Sequence, residues 1–256
     1  MKSQFFFSII IPTFNRSNSI IRTLESIKSQ IFKNYEIIIV DDFSNDNTKG
    51  LVENFIKANS AVQIRYFYFD SNQGPNIAKN YGSKKAVGDY LVFLDSDDCF
   101  YDSFSLNQIK KEIKNYNNPN LIMFSSFYLH EQTNTIVKYS RLTFKEFLRL
   151  ENIGEFLPVV NRVLFLKFLF FDSIRGGEGL TWLKILKKSN LIIFSDSVVR
   201  LYDNTGDDRL SNFSLNFKKR LYKINIIWLK EFWKDYLIYN PLGLIKIIIR
   251  VLYYRL

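Results

Sequence analysis

The sequence predicts an α/β fold with a mostly parallel central sheet flanked by helices, and three observations carry that prediction. Short apolar runs alternate with stretches whose apolar residues recur every three or four positions. The connections between them are short, as in strand–helix–strand units. Each run ends in polar residues, and in sheets of this kind ligands bind beyond the carboxyl ends of the strands.

The elements follow in order. FFFSIII (Phe5–Ile11) is continuously apolar, as expected of a strand covered on both faces. Asn18–Phe32 carries Ile20, Ile21, Leu24, Ile27 and Ile31 as a helical stripe. Glu36–Val40 is a second strand, and Asp46–Lys57 a helix with Leu51, Val52, Phe55 and Ile56 on one side. Val62–Phe69 reads as strand three, Asn76–Val87 as a helix and Tyr90–Leu94 as strand four. Beyond Phe100 the pattern loosens. Ser105–Tyr116 reads as a helix, Leu121–Leu129 and Thr135–Tyr139 as strands, and Thr143–Leu150 and Arg162–Phe170 as short helices. The turn RGGEG (Arg175–Gly179) leads into a helix over Leu180–Lys188, and Leu191–Asp203 reads as a strand pair. From Phe213 the chain is helical, basic and aromatic, with Pro241 separating two helices.

Composition sets the frame. The 256 residues are 47% hydrophobic and 23% charged, which excludes a disordered chain and is enough for a sizeable core. The net charge of +10 favours anionic partners: nucleic acid, an anionic membrane surface or phosphorylated substrates. A single cysteine, Cys99, excludes an internal disulfide and fits a reducing compartment. MKSQFFFSIII begins like a signal peptide, but Pro12 and polar residues follow at once, so it is read as the first strand. No apolar run approaches the roughly 20 residues of a membrane-spanning helix.

The strand ends bear the chemistry. Strand one ends in Pro12, Thr13, Phe14 and Asn15, strand two in Asp41 and Asp42, strand three in Asp70, and strand four in Asp95, Ser96, Asp97 and Asp98. An aspartate at a strand end is often a helix cap, and a solvated acidic turn is one reading of LDSDD. The other is a metal platform. Hard cations such as Mg2+ or Mn2+ take one or two carboxylates plus substrate phosphates. Three unneutralised acids this close would repel and drive a pKa up.

Four stretches in this order and spacing resemble the inverting, family-two-type glycosyltransferases of bacterial surface polysaccharides: SIIIPTFNR, VDDFSNDNT, SNQGPNIAKNYG and DYLVFLDSDD. The resemblance is close over Ser8–Asp98 and looser to about Ser211. It implies a GT-A fold over residues 1–212, with a nucleotide-sugar-binding half (1–100), an acceptor-binding half (101–212) and a basic amphipathic tail (213–256). It further implies that Pro12, Thr13, Phe14 and Asn15 hold the nucleotide base, Phe14 stacking on uracil, and that Asp41 or Asp42 accepts from the base N–H. Asn72 and Lys79 would approach the donor, Lys79 standing where the family more often has Arg. Asp95, Ser96 and Asp97 match the DxD motif that carries a divalent cation and the diphosphate, Asp97 as the more direct ligand. Asp98 would cap the next helix or back the motif from behind.

An inverting transferase needs a carboxylate to take the proton of the attacking hydroxyl. The family places a Glu-Asp pair at a helix head. Here GGEGLTWLKIL has Glu178 followed by Gly179, so Glu178 is the base by this resemblance, or the role has moved. A helix N-terminal acid favoured by the macrodipole is the plainer account. RLYDNTGDDRLSN (Arg200–Asn212) resembles a segment whose His completes the metal site; Asp203 occupies that slot, and Asp207, Asp208 and Arg209 form a loop over the phosphates or a plain surface loop. His130 is read as a hairpin residue and Cys99 as packing.

The tail places Lys218, Arg220, Lys246 and Arg250 among Trp, Tyr, Phe and Ile. That pattern suits a helix in a membrane interface, or one packed on the domain or on a homodimer partner. No nucleic-acid motif accompanies it. The resemblance implies a nucleotide-sugar donor, a UDP-sugar first, and a lipid-linked or oligosaccharide acceptor in capsule or lipopolysaccharide synthesis. It implies work at the inner face of the bacterial cytoplasmic membrane. The rivals are a sugar nucleotidyltransferase, against which TFNRSNS lacks the glycine-rich loop, and a catalytically inactive nucleotide-sugar-binding protein, at which Gly179 hints.

Overall fold

A computed structural model describes residues 6–150, 154–203 and 215–255. Phe5, and Asp207, Asp208 and Arg209 of the 200–212 segment, lie outside the described residues.

The first half follows the predicted alternation: β1 (Phe7–Thr13), α1 (Ile20–Lys28), β2 (Tyr35–Asp41), α2 (Thr48–Ala58), β3 (Ile64–Tyr68), α3 (Pro75–Lys85) and β4 (Tyr90–Phe93). Then come β5 (Cys99–Phe100), α4 (Ser105–Asn115), β6 (Leu121–Tyr128), β7 (Thr133–Asn134), β8 (Arg141–Leu142) and α5 (Phe144–Phe147). The described chain closes with β9 (Leu157–Asn161), α6 (Arg162–Phe165), α7 (Glu178–Ser189), β10 (Ile192–Tyr202), α8 (Leu215–Tyr239) and α9 (Pro241–Arg255).

One sheet runs through both halves in the order β3-β2-β1-β4-β9-β6-β10-β5, with β7 on β6 and β8 on β10. The β3-β2-β1-β4 set is parallel. β9 lies antiparallel between β4 and β6, and β10 is parallel to β6. The carboxyl ends of β1, β2, β4, β6 and β10 therefore share one rim, and β9 delivers its amino end to the same rim. Successive β1 side chains face opposite layers, as strand pleating requires. Ile9 and Ile11 join the core under α1, α2 and α4, and Ile10 joins the core under α3, α7 and α8.

Local chemistry sets the helix starts that matter for the rim. Gly74 at φ 101 turns the chain before Pro75, whose fixed φ suits the first helical position of α3. Gly177 at φ 75 does the same before Glu178 and α7. Gly82 lets α3 lie close on the sheet: an added Cβ would stand 2.8 Å from an Ile10 methyl.

Several boundaries differ from the sequence expectation. β9 was not expected, because Pro158 within a five-residue run argues against a central strand. Pro158 pairs only with β6, beyond the last β4 partner at Val159. Leu191–Asp203 is one strand, not a pair: Asp196 and Ser197 form an irregularity where the register shifts between Ser195 and Val198. Thr135–Tyr139 is not a strand; the two residues before it, Thr133–Asn134, pair with β6 instead, and the short helices shrink to Phe144–Phe147 and Arg162–Phe165. α1 stops at Lys28, leaving Ile31 exposed.

α8 lays Trp228, Phe232 and Tyr236 against the core. α9 packs on it through Ile247 and leaves Leu242, Ile245, Ile248, Ile249, Leu252 and Tyr253 exposed. Among the described residues no helix is long and apolar enough to cross a membrane.

Candidate active site

The acidic turn after β4 is braced by cations from four elements. Asp95 Oδ1 lies 3.1 Å from Lys79 Nζ, and Asp97 Oδ2 lies 3.6 Å from Arg16 Nε. Asp98 is buried, its Oδ2 3.1 Å from Arg200 Nη1, and it accepts from the Asp203 N–H at 3.1 Å. Arg22 donates to the Asp97 carbonyl and to the Asp203 carboxylate, each at 2.8 Å. The buried Ser96 presents its carbonyl to the hydroxyls of Ser19 and Thr23. Burial pushes the Asp98 carboxyl up; Arg200 opposes that, while Asp95 and Asp97 reinforce it. Asp98 caps no helix. It ties the acidic turn to the end of β10, which is how Asp203 reaches this rim.

On the other side the strand-end loops are fastened to one another. Asp41 accepts from the Ser44 N–H at 2.7 Å and from the Tyr66 hydroxyl at 2.7 Å. Asp42 accepts from the N–H groups of Gln73 and Gly74 at 2.6 and 2.7 Å. Burial raises its carboxyl, and those two bonds oppose the rise. Both aspartates thus already hold the loops around the expected base pocket. Pro12 is buried within β1, and the Thr13 hydroxyl is buried without a hydrogen-bond partner. Phe14 is exposed, and Asn15, at φ 52, accepts from Asn45 N–H. Asp70 is exposed at the end of β3.

Lys79 joins the two halves of the site. It projects from α3 with its side chain 9% exposed, and Nζ lies 3.1 Å from Asp95 and 3.2 Å from Glu178 Oε1. Burial alone would lower its ammonium; the two carboxylates outweigh that and hold it above the usual lysine range. The same contact holds Asp95 low against the opposing effect of burial. Asn72 donates to the Asp42 carbonyl and accepts from Arg175, fixing the turn before α7 to the turn before α3. At Gly179 an added Cβ would meet nothing within 4 Å, so the missing second acid of the pair is not a steric requirement.

Some residues at this rim gave no sequence signal. Glu155 lies just ahead of β9 and faces Asp95, Glu178, Lys79 and Arg200 electrostatically; loss of water raises its carboxyl first, and Glu178 and Asp95 add to the rise. Phe43, at φ 73, is an exposed aromatic at the end of β2 beside Tyr68, with ring centroids 6.2 Å apart. A non-glycine residue held there is a mark of functional loops. Cys99 pairs with Leu201 in the sheet and is buried, as packing requires, and His130 is exposed in a turn.

Among the described residues no three His, Cys, Asp or Glu side chains assemble into a metal cage. The donor set is instead a pair of hard carboxylates on a partly exposed turn, with Asp203 alongside. That fits a divalent cation that completes its shell with substrate phosphate oxygens.

A family model described as glycosyl transferase family 2 matches residues 8–171. The GalNAc(5)-diNAcBac-PP-undecaprenol beta-1,3-glucosyltransferase of Campylobacter jejuni is 29% identical over 232 residues, which are 87% of this chain and 72% of the relative. The UDP-Glc:alpha-D-GlcNAc-diphosphoundecaprenol beta-1,3-glucosyltransferase of Escherichia coli is 28% identical over 187 residues, 72% of this chain and 71% of the relative. An uncharacterized glycosyltransferase of Rickettsia felis is 34% identical over 194 residues, but the chain spans only 31% of that protein. Among solved structures, S. aureus TarS 1-349 in complex with UDP matches with a TM-score of 0.69 at 21% identity, covering 90% of this chain and 66% of that one. The mannosyltransferase PcManGT from Pyrobaculum calidifontis, in complex with GDP-Man and Mn2+, matches with a TM-score of 0.68 at 16% identity over 98% of this chain and 74% of that one. The fold is GT-A.

The loop clamp has a pH signature. Asp46 accepts from Ser17 N–H, Thr48 N–H and the Thr48 hydroxyl, at 3.0, 2.9 and 2.5 Å. Burial alone would raise its carboxyl, but those bonds outweigh it and lower it to about 2. A carboxyl lowered on folding stabilises above its unfolded pKa near 4, and that contribution disappears as pH falls through the folded value. Asp46→Asn is expected to lower the melting temperature at pH 7 by roughly 2–4 °C. The deficit should shrink between about pH 4 and pH 2. An unchanged gap at pH 2 contradicts the clamp.

Proposed function

The chain belongs to glycosyl transferase family 2, and on that premise we propose that it transfers a sugar from a UDP-sugar, with inversion, to a hydroxyl of a lipid-linked acceptor. The observation that carries this reading is the shared contact of Lys79 with Asp95 and Glu178, which puts the DxD turn and the acid at the head of α7 within reach of one cation. Residues 1–100 serve the nucleotide, 101–212 the acceptor, and 213–256 the membrane surface.

The roles follow from position. Phe14 offers an exposed ring at the mouth of β1, and the unpartnered Thr13 hydroxyl beside it suits a polar atom of the base. Asp97, with Asp95 and Asp203 nearby, would hold a divalent cation, Mn2+ or Mg2+, which would supply positive charge to the leaving diphosphate. Glu178 takes the proton of the acceptor hydroxyl as its oxygen attacks the anomeric carbon. The bond from that carbon to the phosphate oxygen breaks on the opposite face, and UDP leaves with the electron pair. Lys79 bridges Asp95 and Glu178 and holds the two carboxylates in place on either side of its ammonium.

Nucleoside diphosphate release across a panel of nucleotide sugars tests the reading, with the highest rate expected from a UDP-sugar. Glu178→Gln is expected to bind UDP within about twofold of wild type and to lose turnover by about 10²–10⁴-fold; retained turnover moves the base elsewhere. Asp97→Asn is expected to weaken UDP binding at least tenfold in Mn2+, by calorimetry, and to change it little in a chelator.

The exposed apolar face of α9, with Lys246 and Arg250 on the same helix, supports peripheral attachment to an anionic bilayer at the cytoplasmic side. Ile249→Asp combined with Leu252→Asp is expected to cut partition onto anionic vesicles at least tenfold with no change in melting temperature. Undiminished partition means that α9 is not the anchor.

A further inference from the structure

α8 does more than pack on the core. Its core-facing stripe runs every fourth residue through Ile224, Trp228, Phe232 and Tyr236, which is one face of a helix. Arg220 continues that stripe by one more turn towards the N-terminus, where the face leaves the core and meets the turn before α7. The meeting point is close: an added Cβ on Gly177 would stand 3.3 Å from an Ile224 side-chain carbon. Gly177 immediately precedes Glu178.

Arg220 is poorly partnered for its position. Its Nε is buried with no hydrogen bond, and its guanidinium lies 5.2 Å from the centre of the Phe217 ring. No ion pair joins it to an acid among the described residues; it interacts with Glu178 only through space. Lys79 already serves Glu178 at 3.2 Å. A half-buried guanidinium whose Nε–H is buried without a partner is costly unless an anion completes it. Guanidinium forks match phosphate oxygens in geometry as well as charge.

We propose that Arg220 is the phosphate-binding residue of the acceptor site, receiving the diphosphate of a polyprenyl-linked acceptor beside Glu178. The assignment rests on the glycosyl-transfer reading and deepens it. It specifies an acceptor whose reacting sugar sits next to its diphosphate, because the phosphate and the base then lie against the same turn. It also gives the tail a part in substrate selection in addition to attachment. Donor and acceptor both carry a diphosphate, so the test must separate them.

The full chain is titrated with farnesyl diphosphate by calorimetry at saturating UDP and fixed Mg2+, with farnesol as the uncharged control. Wild type is expected to bind farnesyl diphosphate with UDP in place. Arg220→Met should weaken that binding at least tenfold, Arg220→Lys should fall between the two, and farnesol should bind all three alike. Equal affinity of Arg220→Met and wild type for farnesyl diphosphate overturns the proposal. So does displacement of farnesyl diphosphate by UDP, which assigns the cation to the donor, or failure of wild type to bind it at all. Matching losses for farnesol and farnesyl diphosphate also overturn it, because they reduce Arg220 to a packing residue. A chain that does not bind UDP overturns the glycosyl-transfer reading itself, and this assignment with it.

Discussion

The site is organised by one buried ammonium. Lys79 sits on α3 and remains charged there because Asp95 from the end of β4 and Glu178 from the head of α7 flank it. Removing either neighbour would leave the cation short of a partner in a place where water cannot replace it, and a broken buried pair is among the more damaging local changes. The contact therefore constrains three elements at once. α3 must lie close on the sheet, which Gly82 permits, and α7 must start beside it, which Gly177 permits. Asn72 and Arg175 add a second link between the same two turns.

The charge pattern has a related logic. A chain of net charge +10 places three aspartates on one short turn, and the structure answers each with its own cation: Lys79, Arg16 and Arg200. Arg22 joins the set through the Asp97 carbonyl and pairs with Asp203 at 2.8 Å. The acidic turn is thus balanced by the protein itself, and its partly exposed carboxylates still face the rim where a diphosphate and its metal would sit. Cations from distant segments thus organise the acids.

The alternation from β1 to β4 was legible because β1, β2 and β4 are apolar runs and α1 and α2 carry apolar stripes at helical spacing. The strand-end polar groups were legible for the same reason: once the strands are located, the rim is located. Glu178 was singled out only through the family resemblance, which implies an acid at that helix head; the glycine turn and the helix alone mark no base. What stayed hidden depends on contacts far apart in sequence. Arg200 meets Asp98 across 102 positions and Arg22 meets Asp203 across 181, and no local pattern marks such pairs. β9 was masked by Pro158, and with it went Glu155, which only the antiparallel placement of that strand brings to the rim. Asp41 or Asp42 was expected to accept from the base; that their carboxylates also fasten the strand-end loops rests on contacts with distant segments that no local pattern marks.

The proposed reaction depends most directly on Lys79 and Glu178 acting as one unit. A double-mutant cycle with Lys79→Met and Glu178→Gln, read as the single-turnover rate of sugar transfer, measures that coupling. The predicted result is strong non-additivity, with the double variant no slower than the slower single one. Losses that simply multiply would mean that the two side chains act independently and that their contact does not organise the site.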